Sequence, residues 1–173
     1  LEDLDEAIRL DPDDSSAYAD RAAAHQQIGE LESAIQDYSE AIRIDSQFSG
    51  PLSLEGPLGF LYGLRGDVYS ELGLLASAAN DYTEAVGLLS HNEVTAALEI
   101  PLALLYKKLG SIQFEEGLYV QSISSFTEAI LWDPELTEAY SLRGDSYTAL
   151  GQEDLAAKDY AEASRLRQES TGG

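Results

Sequence analysis

Cysteine and methionine are both missing from this 173-residue chain. Without cysteine there is neither a disulfide framework nor a thiolate metal site, and the redox compartment stays undetermined. Methionine is absent even at position 1, which suggests a processed chain or a piece cut from a longer one. No stretch approaches the roughly 18 uncharged apolar residues that a membrane-spanning helix needs. The opening LEDLDEAIRL lacks the basic and apolar regions of a secretory signal. The chain reads as soluble, and with no targeting segment a cytoplasmic location is expected. Basic residues are scarce too: 10 Lys and Arg stand against 32 Asp and Glu, a formal charge of −22. Such a field repels nucleic-acid phosphates and anionic lipid, so neither nucleic acid nor membrane is expected as a partner and basic partners are favoured.

Catalytic chemistry is equally thin. No glycine-rich phosphate loop, nucleophile elbow or metal-spaced cluster appears. Asp11-Pro12-Asp13-Asp14 has acids at calcium-loop spacing, but the Gly and terminal Glu of such a loop are missing. The sequence is therefore read as that of a non-enzyme, with no cofactor and no metal.

What the chain does have is self-similarity. SEAIRI at 39–44, TEAVGL at 83–88, TEAILW at 127–132 and AEASRL at 161–166 align on one Ala, and DEAIRL at 5–10 is a fifth copy. The successive intervals from Ala7 through Ala41, Ala85 and Ala129 to Ala163 are 34, 44, 44 and 34 residues, one period twice lengthened by ten. An aromatic stands 23 residues before each complete unit's Ala, at Tyr18, Tyr62, Tyr106 and Tyr140. A Gly, a small residue and then Tyr38, Tyr82, Phe126 or Tyr160 follow in order.

In the last unit Tyr140, Gly144 and Tyr147 share one face of a helix, Gly151 breaks it, and Leu155, Ala156, Tyr160 and Ala163 line a second helix. Two such stripes predict an antiparallel hairpin in which Gly144 lets Tyr160 approach closely. Arg21, Arg65 and Arg143 fall on the packed side of the first helix, and Asp37, Asp81 and Asp159 stand sixteen residues on, directly across. In the remaining unit both partners change together, to Leu109 and Ser125. Charge at both places or at neither predicts a bidentate Arg–Asp pair, which a desolvated Arg needs.

Two of these arginines belong to Arg-Gly-Asp, at 65–67 and 143–145. An adhesion motif wants an exposed loop tip, whereas here the tripeptide sits inside a helix with its Arg turned inward. It is read as incidental to packing, with Asp67 and Asp145 facing outward. His25 stands where other units have Tyr69 and Tyr147, so it is read as a packing residue, and His91 falls in a turn between units.

In order, period and coverage these units resemble the tetratricopeptide repeat family. The resemblance implies an all-α, right-handed α-solenoid of antiparallel helix hairpins, about four and a half units long. The expected divisions are 1–14, the second helix and turn of a truncated repeat, and complete units at 15–48, 59–92, 103–136 and 137–168. Inserts fall at 49–58 and 93–102, and 169–173 is expected to be a flexible tail. The first insert, with its Gly and Pro, is expected to be irregular. The second is expected to be helical after Asn92 and to extend the next helix, with a bend at Pro101. Both are read as tolerated surface insertions.

Stacked hairpins curve, and the resemblance implies that the concave groove is lined by set positions of each first helix. The first complete unit offers Ser16, Ala19, Ala23, Gln26 and Gln27 there. The second offers Phe60, Asp67 and Glu71; the third Leu104, Lys107, Phe114 and Glu115; the last Glu138 and Asp145. Five acids against one Lys make an acidic lining, with Phe60, Leu104 and Phe114 as apolar anchors. Some members of the family grip a chaperone's C-terminal carboxylate with Lys, Asn and Arg, but Ala19, Ala23, Gly63 and Asp67 stand where that clamp would be, and Lys107 and Lys108 alone do not rebuild it. The expected function is a protein-interaction scaffold holding a basic peptide or partner protein. A self-associating structural module with apolar surface at both open ends, or a regulatory domain of a larger enzyme, is the alternative.

Overall fold

The computed structural model describes residues 1–48, 56–90 and 96–171, and the described residues form nine α-helices and no strand. In chain order these are α1 (Glu2–Leu10), α2 (Ser15–Gln27), α3 (Leu31–Phe48), α4 (Gly56–Glu71), α5 (Leu75–Ser90), α6 (Ala96–Glu115), α7 (Tyr119–Trp132), α8 (Thr137–Ala149) and α9 (Glu153–Thr171). The fold is an all-α helical repeat. It divides into two compact units, Leu1–Glu93 with α1 to α5 and Val94–Gly173 with α6 to α9.

In the first unit α2 pairs with α3 and α4 with α5, while α3 also packs on α4 and α1 on α2. In the second, α6 pairs with α7 and α8 with α9, and α7 packs on α8. Each hairpin turns on a glycine with positive φ, at Gly29, Gly73, Gly117 and Gly151, a conformation that side chains with Cβ resist. The turn is closed by backbone bonds of one pattern, such as Glu30 N–H to His25 C=O at 2.9 Å and Gln152 N–H to Tyr147 C=O at 2.9 Å. At the start of α2 the Asp14 carboxylate accepts from the Ser16 and Ala17 amides, satisfying two otherwise orphaned donors.

Large aromatics of the second helices fill the core where the first helices have no side chain. A Cβ on Gly66 would lie 2.8 Å from the Tyr82 ring, one on Gly110 2.8 Å from Phe126, and one on Gly144 2.6 Å from Tyr160. Tyr38, Tyr82 and Phe126 are fully buried. Tyr160 is 38% exposed, because no further helix among the described residues packs over it.

Three expectations change. The last residues of the first insert are not irregular, since α4 begins at Gly56, and Pro57 sits in its first turn, where a missing N–H costs nothing. The expected tail from 169 is helical as far as Thr171, where Arg165 bonds both Glu162 and Glu169 along α9. The exposed side of α9 is also poor in apolar surface: Ala157, Ala161 and Ser164 occupy the places where α3 has Ile35, Ser39 and Ile42. Of its large apolar residues, Leu155 and Tyr160 remain exposed there, while α1 exposes Leu1 and Leu10. The rest of the first insert, His91 and the Asn92 cap lie outside the described residues. No described helix is long and apolar enough to cross a membrane.

Candidate functional site

Arg-Gly-Asp in a first helix meets Asp-Tyr in the second. In the second hairpin Arg65 Nε and Nη2 donate to the two Asp81 oxygens, both at 2.8 Å. Gly66 leaves room for the Tyr82 ring, and the Tyr82 hydroxyl donates to Asp67 Oδ1 at 2.6 Å. The last hairpin repeats this arrangement with Arg143 on Asp159 at 2.8 Å twice, Gly144 under Tyr160, and Tyr160 donating to Asp145 at 2.8 Å. Arg21 makes the same fork on Asp37, at 2.8 and 2.7 Å. All three Asp side chains are buried, so an unpaired carboxylate there would be costly. Hydrogen bonding to the Asp is the main reason that each of these arginines holds its proton still more tightly than usual. Each guanidinium also lies over a ring: Arg21 over Tyr18, Arg65 near Tyr62 and Tyr69, Arg143 over Tyr140.

In the hairpin without the pair, Leu109 is buried and the Ser125 hydroxyl donates instead to Gln113 Oε1 at 2.7 Å. His25 is more than a packing residue: its Nδ1 is 2.7 Å from Glu30 and its Nε2 is 3.8 Å from Asp37.

A further contact was not anticipated from the sequence. The third nitrogen of each fork, Nη1, reaches back to the preceding second helix: Arg21 to Asp5 at 2.8 Å, Arg65 to Ser39 at 3.0 Å and Arg143 to Thr127 at 3.0 Å. Asp5, Ser39 and Thr127 occupy the same place in the first, second and fourth copies of the period. That shared phase is the signal in the sequence, and it emerges only when adjacent units are compared rather than aligned singly.

Asp67 and Asp145 do not simply face outward. Asp145 is exposed but Asp67 is half-buried, and both accept a tyrosine hydroxyl. The hydroxyl belongs to the ring that lies against the preceding Gly, so the next residue along the first helix is the nearest acceptor. Burial first, and then the bond to Asp67, push the Tyr82 phenol far above its usual range, which keeps it a donor.

The other positions expected to line a groove fall in both units. In the first unit Phe60 is 38% exposed, and Glu71 accepts a hydrogen bond from Gln26. In the second, Leu104 at the equivalent position is also 38% exposed. Lys107 and Glu138 are not independent charges: Nζ lies 2.6 Å from Oε2, so they offset each other. Phe114 is half-buried and meets the Tyr119 ring edge-on at 5.4 Å, across the α6–α7 turn, rather than standing as an open anchor. Glu115 is exposed. Among the described residues no group of three or more His, Asp or Glu is placed to hold a metal ion.

Repeated hairpins of this kind, with small residues of one helix under aromatics of the next, define a helical-repeat solenoid serving as a protein-interaction or assembly scaffold. Tetratricopeptide repeat models match residues 4–36, 61–88 and 137–170. The chain belongs to the tetratricopeptide repeat family. Its fold is similar to that of a crystal structure of MamA, with a TM-score of 0.81, 17% identity, and coverage of 98% of this chain and 88% of that one. MamA 41-end from Desulfovibrio magneticus RS-1 gives a TM-score of 0.73 at 16% identity, covering 96% and 82%. BtubC from P. vanneervenii gives 0.75 at 18%, covering 92% and 65%. Likeness at this level of identity shows the fold. No curated protein sequence matches the chain.

Proposed function

We propose that the first helices of the hairpins hold a basic peptide segment of a partner protein, through binding and not catalysis. The observation that carries this reading is the pair Phe60 and Leu104. They occupy the same position on the first helices of consecutive repeats, and each stays 38% exposed. On α4 the same helical face continues through Asp67 and Glu71, and in the second unit Glu115 and Asp145 lie on the corresponding positions of α6 and α8. Apolar anchors on a helix face that also carries acids favour a ligand with one or two bulky apolar residues among Lys or Arg. Tyrosine donors leave the charge of Asp67 and Asp145 in place, whereas Lys107 cancels that of Glu138.

Charge of this kind chiefly sets encounter rate and selectivity, while a buried apolar anchor sets lifetime. In a peptide-array screen at moderate salt, followed by stopped-flow binding, basic peptides with an apolar residue should bind and acidic ones should not. Phe60→Ala or Leu104→Ala should speed dissociation, at a cost of about 1 to 3 kcal/mol for a hot spot. Equal binding of acidic and basic peptides, indifferent to these substitutions, would end the reading. The exposed Leu1 and Leu10 of α1 favour self-association as a second reading. A sedimentation profile that stays monomeric at high concentration would remove it.

A further inference from the structure

The acid at the ninth position of a repeat occurs only where the second helix supplies a hydroxyl across from it. Asp67 faces Tyr82 and Asp145 faces Tyr160, whereas Ser111 accompanies Phe126 and Ala23 accompanies Tyr38. In the last hairpin Gly144 brings the Tyr160 ring against the backbone of α8, because even a Cβ there would lie 2.6 Å from Cε1. The hydroxyl is thereby delivered between two groups of α8: it donates to Asp145 Oδ1 at 2.8 Å and lies 3.1 Å from Thr148 Oγ1. A hydroxyl held by both neighbours fixes one carboxylate oxygen. A carboxylate fixed in this way loses less rotational freedom when a cation docks on it, and the neutral donor leaves its full negative charge.

We propose that Tyr160, and Tyr82 in the other unit, are specificity-determining residues that hold Asp145 and Asp67 in position to receive a lysine or arginine side chain of the bound segment. This rests on the basic-peptide reading above and names the residues that select the cation. It also gives the Arg-Gly-Asp tripeptide a use for each member: Arg pairs with the buried Asp, Gly admits the ring, and Asp receives the ligand's charge on a support supplied by that ring.

The test uses the whole chain and two fluorescent peptides, one with arginines flanking a leucine and one with glutamates in their place. Four proteins are compared: the parent chain, Tyr160→Phe, Asp145→Asn and the double variant. Tyr160 is the useful site because its ring is partly exposed and Phe keeps the packing; thermal melts of all four proteins check that the fold is intact. Tyr160→Phe should weaken the arginine peptide by about two- to tenfold, as the carboxylate loses one supporting hydrogen bond but keeps its charge. Because the charge remains, the salt dependence of binding should be unchanged. Asp145→Asn should weaken binding and flatten the salt dependence, and the double variant should be no weaker than Asp145→Asn alone. Tyr160→Phe binding like the parent, or losses that simply add in the double variant, would overturn this inference while leaving the basic-peptide reading standing. Failure of the parent chain to prefer the arginine peptide would overturn both.

Discussion

The Arg–Asp fork is where one side chain does most for a hairpin, because the carboxylate is buried and the guanidinium donates to both of its oxygens. Arg143→Leu strands Asp159, which is 6% exposed, and removes the bond to Thr127 as well. Loss of one partner from such a pair costs on the order of 3 kcal/mol. Arg143→Leu combined with Asp159→Ser imitates the natural Leu109 and Ser125, so it should cost less than the single change; additive losses in denaturant melts would contradict the pairing. The glycines beside the forks separate two opposing effects. Alanine in a helix interior gains about 1 kcal/mol over glycine, while overpacking a core costs about 1 to 3. Tyr82 is buried and cannot retreat from a Cβ on Gly66, so Gly66→Ala should be destabilising. Tyr160 is partly exposed and can shift outward at the cost of its bonds to Asp145 and Thr148, so Gly144→Ala should be less destabilising than Gly66→Ala. Equal melting shifts for the two variants would show that the aromatic rings do not set the cost.

At the scale of elements, the period of the sequence carries the hairpins, because small and large residues that face each other must alternate in phase. The fork was legible for the same reason: Leu109 and Ser125 lose charge together. Contacts that depend on how one hairpin lies against the next were not legible. Lys107 reaches Glu138 from α6 to α8, and Arg65 reaches Ser39 from α4 to α3, and neither distance follows from the pattern within a unit. The Tyr82 to Asp67 bond was missed because helical spacing alone sends Asp67 outward and takes no account of a ring lying over Gly66. Helix α1 is the weakest element by this logic. It has nine residues and buries none of them, and a helix that short is marginal without packing. Its polar tie to α2 is Asp5 on Arg21, where Asp5 is largely exposed. Amides of α1 should therefore exchange fastest among the described helices, and Asp5→Asn should speed them slightly, since an exposed pair contributes at most about 1 kcal/mol. Protection of α1 equal to that of α3 would mean that its face is covered in solution.

For the whole molecule the charge of −22 makes stability and binding respond to salt in opposite directions. Like charges spread over a compact chain repel, and that repulsion acts over longer distances than the contacts within the forks. Raising ionic strength from about 0.01 to 0.15 M shortens the screening length from roughly 30 to 8 Å, which removes repulsion between distant acids but barely weakens a buried fork at 2.8 Å. The exposed pairs Arg9–Glu6, Arg43–Glu40 and Arg165–Glu162 lose something as well, but each is worth little to begin with. Relief of repulsion should win, so the melting temperature should rise with added sodium chloride, by about 2 to 4 °C for each kcal/mol gained. The same screening would weaken the attraction between these acids and the basic peptide proposed as ligand, so its association rate should fall over that range while a dissociation rate set by an apolar anchor should change little. Differential scanning calorimetry and stopped-flow binding in one salt series give both slopes. A melting temperature that falls with salt would mean that local ion pairs outweigh the long-range field. An association rate that ignores salt would mean that the acids beside Phe60 and Leu104 do not face the ligand.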